Sequence, residues 1–510
     1  MSNGAPRPDR RRPQPEAARN EAQLQLFDLA GRTALVVGLG ESGLAMARWA
    51  AMRGARVRAV DTRADPPGLQ AFRAEIAGGQ FAALALSSAP LDGVDALLWS
   101  PGVSPEVGDA AALHRAARAA RIPVLGEIEL FAQAIAALGA DRPRLVAITG
   151  TNGKTTTTRM VAQLCEQAGI SAIAAGNIAP AALDALREAI AANAMPEVWV
   201  LEVSSFQLAL ADSLAPDAAA VLNVSEDHLD WHASMPAYVE AKHRIYRAAA
   251  VCVFNRDDPA TQPRRARSTM SFGRSVPGAP GEFGFVLEGG LRWLAEAVAT
   301  DEPGVRRRKD APPAFVVNKL MPADALRVRG THNQLNALAA LALARAVGVP
   351  MAAMLHGLRA YAGEAHRCER VSVVRDVEYY DDSKGTNVGA TVAALDGLGK
   401  RCVLIAGGDG KGQDFGPLAR PVRDHARAVI LIGRDGPRLR EALAGAGVEM
   451  RSADTLEQAV QLAASLARAG DAVLLSPACA SFDMFRNYGH RAQVFQDAVR
   501  RLGTEAGLAC

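Results

Sequence analysis

Short apolar runs recur along most of the chain, and each is followed by glycine or small polar residues and then by a helical pattern. The apolar run at 145–148, for example, breaks at 150–153 before an amphipathic helical pattern begins. Strands that are buried on both faces of a parallel sheet are continuously apolar, and a helix usually joins one such strand to the next. The pattern therefore predicts an α/β protein built on parallel sheets.

The strand and helix patterns fall into three groups, and we expect one domain for each. Residues 23–125 predict a Rossmann-like parallel sheet, residues 126–363 a central P-loop ATPase-like α/β domain, and residues 364–510 a second Rossmann-like α/β domain. Residues 1–22 are rich in Pro and Arg, which is typical of a disordered tail and not of a secretory signal. Residues 255–325 predict a small β-rich excursion, in which the basic run 306–309 is typical of a solvated loop.

Composition and charge exclude several classes of function. The net charge is only +3, and no Lys/Arg face is interleaved with aromatic residues, so we expect no nucleic-acid partner. No run approaches the roughly 18 apolar residues that a membrane span needs. The six cysteines show neither C-x-x-C nor Cys/His metal spacing and are typical of thiols in a reducing compartment. We therefore expect a cytoplasmic protein.

A phosphate-binding turn is predicted between the first strand and the first helix of the central domain. Its backbone N–H groups and the positive end of the helix suit a polyphosphate. We expect Lys154 to reach the β/γ-phosphates and the Thr155 hydroxyl to ligate Mg²⁺. The usual motif has a further glycine where Ile148 stands, so an ordinary strand-to-helix turn is the alternative. The turn comprises Gly150, Thr151, Asn152, Gly153, Lys154, Thr155 and Thr156.

A second glycine-rich turn, with the pattern G-x-G-x-x-G at Gly38, Gly40 and Gly43, opens the first domain. Asp61 ends the next strand, about where dinucleotide-binding folds hold a ribose hydroxyl. Taken alone, these features predict a nicotinamide-dependent dehydrogenase. A loop of this kind can also serve only to pack a helix against a strand, and both alternatives stay open at this point.

Polar side chains stand at the ends of further strands of the central domain. Glu202 ends a buried apolar strand, where nucleotide hydrolases carry a magnesium-linked carboxylate; a charge that merely emerges at the strand terminus is the alternative. Asn177 and His228 follow other strands. His228 and His232 would share one face of a helix, but they lack the H-E-x-x-H order of zinc peptidases.

Two helical segments carry polar residues whose role the pattern leaves open. Lys242 lies on an amphipathic helix and, by itself, is typical of a surface lysine. Asn333 and Asn336 share a face at the start of an Ala/Leu-rich helix. Their amides could cap that helix or face a nucleotide base.

Taken in order, the motifs closely resemble those of the Mur ligases of peptidoglycan precursor synthesis. The resemblance spans about residues 25–505 and rests on TGTNGKTT, E-x-S-S-F-Q, N-x-x-E-D-H-L-D, A-K-x-R-I-Y, H-N-x-x-N-A, H-R, D-D-S-K-x-T-N, G-G-D-G-K-G and S-P-A-x-A-S-x-D. It implies an ATP-dependent amide ligase that converts a substrate carboxylate into an acyl phosphate. The G-x-G-x-x-G with D-T-R, together with S-S-F-Q and D-D-S-K-x-T-N, favours family members that add D-glutamate to UDP-N-acetylmuramoyl-L-alanine.

The resemblance also implies a nucleotide and metal site that uses ATP and two Mg²⁺ ions. The implied metal ligands are Thr155, Glu202, His228 and, if its amine carries a carbamate, Lys242. The residues implied around the nucleotide, beyond the turn, are Asn333, Asn336, Arg367 and Asp382, with Lys384 near the phosphates. The implied catalytic residues are Lys154, His228, Lys242, Arg367 and Lys384.

Two substrate sites are implied in the same way. The residues implied to cradle the UDP group, in place of NAD, are Glu41, Ser42, Asp61, Thr62, Arg63 and Gly102. The residues implied to form the D-glutamate pocket are Thr386, Lys411, Ser481, Phe482 and Tyr488, and Asn177 and His228 are implied to contact substrate. Three domains that share one crevice imply closure around the substrates. We also expect a monomer.

Other functions remain as alternatives. They are an NAD-dependent oxidoreductase built on the first domain, a non-catalytic nucleotide-binding regulator, a folylpolyglutamate synthase and a sister ligase that adds L-alanine. The oxidoreductase would leave the phosphate-binding turn, Glu202 and the last third of the chain without a role.

Overall fold

Three sheets of five, nine and six strands organise the described part of the chain. The computed structural model describes residues 28–300 and 314–507. Helices cover the sheets, so the predicted α/β fold with three sheet-centred units is confirmed. The tail at 1–22 and the basic run at 306–309 lie outside the described residues. The domain boundaries at 125/126 and 363/364 stay predictions.

The first sheet is entirely parallel and has the order β3-β2-β1-β4-β5. Its strands are β1 (Thr33–Val37), β2 (Arg56–Asp61), β3 (Gln80–Ala83), β4 (Ala96–Trp99) and β5 (Val124–Leu125), and its helices are α1 (Glu41–Met52), α2 (Leu69–Glu75) and α3 (Gly108–Ala119). The strand order reverses between β1 and β4, which is where open α/β sheets place a ligand.

Close packing of α1 on β1 depends on the third glycine of the G-x-G-x-x-G pattern. A Cβ atom on Gly43 would stand 2.0 Å from the carbonyl oxygen of Gly38. No side chain fits in that space, so α1 can begin directly above the end of β1. This contact places the first residues of α1 beside the sheet edge.

The central sheet has the order β14-β13-β12-β11-β10-β9-β6-β8-β7. Its strands are β6 (Arg144–Thr149), β7 (Ala172–Gly176), β8 (Val198–Glu202), β9 (Ala218–Val221), β10 (Val251–Asn255), β11 (Thr269–Phe272), β12 (Glu282–Glu288), β13 (Leu291–Ala299) and β14 (Phe315–Pro322). The helices are α4 (Glu127–Ala136), α5 (Lys154–Gln167), α6 (Ala182–Ala191), α7 (Ser205–Ala209), α8 (Leu229–His232), α9 (Met235–His243), α10 (Thr331–Ala346) and α11 (Met351–Ala360). Because β6 lies between β8 and β9, the segments that follow these three strands meet at one edge of the sheet.

The segment predicted as a small excursion is instead a continuation of the central sheet. Strand β11 pairs in parallel with β10, and β12, β13 and β14 extend the sheet as a meander with two antiparallel pairings. Composition alone showed β-rich character, but it carried no information about which existing strand the new strands would join.

The third sheet has the order β15-β16-β20-β17-β18-β19 and is parallel except for the β15/β16 pair. Its strands are β15 (Glu369–Val374), β16 (Val377–Asp381), β17 (Cys402–Gly407), β18 (Ala426–Ile432), β19 (Glu449–Ser452) and β20 (Ala472–Leu475). Its helices are α12 (Val388–Leu398), α13 (Ala419–His425), α14 (Gly436–Ala442), α15 (Leu456–Leu466) and α16 (Tyr488–Glu505). The loops after β16, β17 and β20 therefore leave the sheet side by side.

Apolar contacts of α4 pack the second unit, and an ion pair joins that unit to the first. The ring of Phe131 on α4 stands edge-on to Trp199 of β8, with centroids 5.2 Å apart, and Trp199 is fully buried. Arg48 of α1 forms an ion pair with Asp184 of α6 at 2.9 Å. No helix within 28–300 or 314–507 is long and apolar enough to cross a membrane.

Candidate active site

A cavity of about 460 Å³ lies at the carboxyl ends of β1, β2 and β4, at the point where the strand order reverses. It is enclosed by the glycine-rich turn, by the end of β2 and by the loop after β4. All six residues predicted to cradle a UDP group line this one cavity: Glu41, Ser42, Asp61, Thr62, Arg63 and Gly102.

Asp61 lines this first cavity and accepts hydrogen bonds from the Leu39 backbone and the Arg63 side chain. One of its carboxylate oxygens accepts the Leu39 N–H at 2.8 Å, and the guanidinium of Arg63 donates to both oxygens at 2.9 and 2.8 Å. Burial by itself raises the pKa of Asp61, but the hydrogen bonds from Arg63 and Leu39 outweigh it and bring the pKa to about 2. Asp61 is therefore a buried anion that fixes the loop and orients Arg63.

The phosphate-binding turn has the geometry that its sequence predicts. Gly153, at φ +81°, precedes α5, and Lys154 is the first helical residue. The Lys154 ammonium folds back over the turn and donates to the carbonyl oxygens of Gly150 and Thr151, each at 2.8 Å. Burial lowers the pKa of Lys154, and the nearby Glu202 carboxylate opposes that effect. The Lys154 ammonium thus lies against the backbone of the turn.

A second cavity, of about 420 Å³, opens beside this turn, and its lining comes from both the second and the third sheet. A Cβ atom on Gly153 would stand 2.4 Å from the side-chain oxygen of Asn336, so α10 lies directly against the turn. The Asn333 amide donates to the Arg329 carbonyl oxygen at 2.8 Å, and neither Asn333 nor Asn336 caps α10. Predicted nucleotide residues that line the cavity are Asn152, Gly153, Thr156, Asn333, Asn336, Arg367, Asp382 and Lys384.

Arg367 connects the third unit to the phosphate-binding turn. Its guanidinium donates to the Thr155 hydroxyl at 2.8 Å across 212 residues of sequence. Burial, and then the charge of Arg367, lowers the pKa of Lys384 to about 8, while burial raises the pKa of Asp382 to about 7. Arg367 and Lys384 thus line one cavity, and the charge of Lys154 is near enough to act on Lys384.

Glu202 offers a carboxylate oxygen that suits a cation. One oxygen accepts the side-chain amide of Asn177 at 2.8 Å, and the other is buried with no hydrogen-bond partner within the described ranges. Oxygen ligands of this kind, together with a threonine hydroxyl, are what Mg²⁺ prefers. The free oxygen of Glu202 therefore suits a cation, whereas the Thr155 hydroxyl accepts a hydrogen bond from the Arg367 guanidinium.

Comparison with known families agrees with this three-part site. Family models match residues 32–126 (Mur ligase MurD-like, N-terminal domain), residues 148–344 (Mur ligase middle domain) and residues 366–479 (Mur ligase, glutamate ligase domain). The chain belongs to the Mur ligase family. This Mur ligase is 56% identical over 491 residues to a UDP-N-acetylmuramoylalanine–D-glutamate ligase of Burkholderia mallei, with 93% of this chain and 97% of that protein covered. A ligase of the same name from Ralstonia nicotianae is 55% identical over 494 residues, with 94% and 99% covered.

Solved structures of other Mur ligases share the fold. The UDP-N-acetylmuramate-alanine ligase MurC of Thermotoga maritima aligns with a TM-score of 0.55 at 19% identity, covering 93% of this chain and 99% of that one. The MurF ligase of Thermotoga maritima, in complex with ADP, aligns with a TM-score of 0.55 at 18% identity and covers the same fractions. The resemblance read from the motifs is confirmed.

His228 and Lys242 lie on either side of Tyr238 in this Mur ligase. His228 does not share a helix face with His232, because α8 begins only at Leu229 and His228 precedes it in a left-handed conformation, at φ 56°. Its ring centroid is 6.3 Å from that of Tyr238, and the Lys242 Nζ lies 4.3 Å from the same centroid. Burial lowers the pKa of His228, which favours the neutral imidazole.

Lys242 differs from the surface lysine that its sequence setting would suggest. Only 1% of the residue is exposed, and burial, followed by the charge of Lys154, holds its pKa well below 10.5. A neutral amine in this position can react with CO₂, whereas an ammonium cannot. The burial of Lys242 was not visible in the sequence, since a short helix with mixed polarity does not reveal which face is covered.

The first cavity is linked to this histidine turn by a short chain of contacts. The Trp231 indole donates to the carbonyl oxygen of Pro101, next to Gly102, at 3.2 Å. Trp231 stacks on Phe206 with centroids 4.7 Å apart, and the Phe206 ring stands at 4.7 Å from that of His228. The loop after β4 therefore lies against the turn that carries His228.

The residues predicted for the amino-acid pocket lie on the loops that follow β16, β17 and β20. Lys384 stands 5.3 Å from the centre of the Tyr488 ring, and the Ser383 hydroxyl donates to the Tyr488 carbonyl oxygen at 2.8 Å. The charge of Lys411 is close enough to lower the pKa of His228. Lys384 thus lies beside Tyr488, and Lys411 lies near enough to His228 for its charge to act there. Thr386 and Ser481 lie on the same loops, but Phe482 is 72% exposed and stands apart.

Several contacting residues were not among the predicted site residues. Asn223 holds the phosphate-binding turn, because its side chain accepts the Asn152 N–H at 2.8 Å and donates to the Asn152 carbonyl oxygen at 3.0 Å. Asn387 bonds to the Asn152 side chain, and Asp227 bonds to Asn387. The available signal was position: each of these residues follows a predicted strand at the same sheet edge as a predicted site residue.

Proposed function

We propose that this Mur ligase joins D-glutamate to UDP-N-acetylmuramoyl-L-alanine and converts ATP to ADP and phosphate. The names of the 55–56% identical relatives support this assignment. The structural observation that carries it is the contact between Arg367 and Thr155, which joins the amino-acid half of the crevice to the phosphate half. The comparisons give no support to the dehydrogenase alternative.

The chemistry requires the cations that the crevice supplies. A carboxylate oxygen of the nucleotide sugar attacks the γ-phosphorus, and the bond from that phosphorus to ADP breaks. The glutamate amine then attacks the acyl carbon, phosphate leaves and the nitrogen loses a proton. Because the first step brings two anions together, Lys154, Arg367 and Lys384 lower its barrier by offsetting their repulsion.

Two metal positions follow from the donors present. Thr155 and Glu202 would hold one Mg²⁺, and His228 with a carbamate on Lys242 would hold the second. When bound, the metal ions offset phosphate charge and orient its oxygens. The free carboxylate oxygen of Glu202 and the low pKa of Lys242 support this proposal.

The two substrates would bind at different parts of the fold. The UDP group would lie in the first cavity between Arg63 and the start of α1, where the backbone N–H of Glu41 faces a phosphate. Lys411 would pair with one glutamate carboxylate, and Tyr488 would form a wall of that pocket. A monomer that closes around its substrates, works in the cytoplasm and contacts neither nucleic acid nor membrane stays a prediction.

Phosphate release tests the assignment. The purified protein with ATP and Mg²⁺ is given each of two nucleotide sugars, with and without the L-alanyl group, and each glutamate enantiomer or L-alanine. We expect rapid release only with UDP-N-acetylmuramoyl-L-alanine and D-glutamate together. Equal release with UDP-N-acetylmuramate and L-alanine would overturn the proposal. Protection against heat by NADH, but not by the nucleotide sugar, would favour a dehydrogenase.

A further inference from the structure

Asn387 directly precedes α12, and one role of its side chain is to cap that helix. Its side-chain oxygen accepts the N–H of Ala390 at 2.9 Å and so caps the helix. Serine, threonine or aspartate would serve equally well in this position, because a cap requires only an acceptor. The capping role does not explain why the side chain also needs an NH₂ group.

That NH₂ group reaches across to the central unit. The Asn387 Nδ2 atom donates to the Asn152 side-chain oxygen at 3.1 Å and to an Asp227 carboxylate oxygen at 3.1 Å. Asn152 returns a hydrogen bond from its own Nδ2 to the Asn387 oxygen at 3.2 Å. Asn387 is 7% exposed, and these partners are 235 and 160 residues away in sequence.

Each partner of Asn387 belongs to a turn with a proposed role. Asn152 is part of the phosphate-binding turn and lies two residues before Lys154. Asp227 accepts the backbone N–H of His228 at 2.9 Å, and so it holds the unusual backbone conformation of that residue. On its own side, Asn387 follows the Lys384 loop directly. One amide therefore touches the phosphate turn, the histidine turn and the amino-acid loop.

We propose that Asn387 is a positioning residue that sets the amino-acid half of the crevice in register with the phosphate half. The proposal rests on the ligase function proposed above. A hydrogen-bonded amide pair has a fixed geometry, so the loop that follows β16 can meet the phosphate turn in only one arrangement. In that arrangement the loop that carries Lys384 lies against the phosphate turn and the histidine turn.

The proposal predicts that substituting Asn387 affects kcat and the KM for the nucleotide sugar differently. The nucleotide sugar binds mainly in the first cavity, which Asn387 does not touch, so its KM stays within about twofold of the parent value. The kcat depends on how the amino-acid half of the crevice is aligned with the phosphate half. Losing the two bonds from the Asn387 NH₂ group lowers kcat by about 30-fold and raises the KM for D-glutamate.

Three variants and a control test this in the full-length enzyme. Asn387→Ser keeps a capping oxygen but cannot reach Asn152 or Asp227, and Asn387→Asp keeps the cap and the size but sets two carboxylates against each other. The double variant Asn387→Asp/Asp227→Asn restores a donor and an acceptor with reversed polarity. Thr455→Ala removes a cap from α15, an exposed position far from the crevice, and serves as the matched control.

We expect Thr455→Ala, which loses a helix cap, to keep its turnover, and Asn387→Ser, which keeps its cap, to lose turnover. The double variant should recover at least about fivefold of the kcat that Asn387→Asp loses. A kcat for Asn387→Ser within twofold of the parent enzyme would overturn the proposal, and so would a double variant no faster than Asn387→Asp. An inactive parent enzyme would instead refute the proposed ligase function, so the two failures are distinguishable.

Discussion

The third glycine of the G-x-G-x-x-G pattern provides a sharp test of how the first cavity is built. Replacing Gly43 by Ala places a Cβ atom 2.0 Å from the Gly38 carbonyl oxygen, which is backbone and cannot rotate away. Helix α1 would have to withdraw by about 1 Å, and overpacking of this severity costs about 3 kcal/mol. Gly40 belongs to the same motif, but a Cβ atom there meets nothing within 4 Å.

Amide hydrogen exchange measures this local cost directly. We expect Gly43→Ala to speed exchange in β1 and α1 by about 100-fold, because exchange from a locally opened state follows its free energy. The KM for the nucleotide sugar should rise as well, since Glu41 and Ser42 move with the helix. Gly40→Ala, the matched control, should cost only about 0.5 kcal/mol as a poorer helix cap. Equal exchange rates in the two variants would refute the packing argument.

Three further changes probe other parts of the site. Lys154→Ala should lower phosphate release by about 1000-fold, with the exposed Lys319→Ala as a control. Arg367→Lys should lower kcat/KM for ATP by at least about tenfold, because the ammonium cannot reproduce the planar donor pair. Asp61→Asn should cost about 2 kcal/mol at neutral pH, since lowering a pKa from 3.8 to about 2 stabilises the fold by that amount.

The sign of the Asp61 effect gives it a distinctive pH dependence. A depressed carboxyl pKa stabilises the folded state above the unfolded pKa of 3.8, and this contribution disappears as the pH falls through about 2. Urea unfolding should therefore separate parent and variant at pH 7 and bring them together as the pH falls to about 2. A constant difference across that range would contradict this account. Undiminished phosphate release by Lys154→Ala would contradict the role assigned to Lys154. An unchanged kcat/KM for ATP in Arg367→Lys would contradict the role assigned to Arg367.

Local sequence patterns were sufficient for those parts of the site that one turn creates. The phosphate-binding turn needs only an apolar strand, two glycines and the start of a helix, all within about a dozen residues. Six of the residues that line the first cavity follow three strand ends, and the resemblance of their motifs to those of Mur ligases predicted these six. Glu202 was also recognisable, because the end of a buried strand is a defined place in a parallel sheet.

Only the tertiary structure decided what depends on contacts between distant segments. The sequence determined the α/β class, the phosphate turn and the strand ends, because apolar periodicity and glycine positions are local properties. The burial of Lys242, the joining of β11 to the central sheet and the bonds of Asn387 depend on segments that are distant in sequence. Hydrogen bonds across 160 to 235 residues are set by how the sheets pack, and no local pattern records that packing.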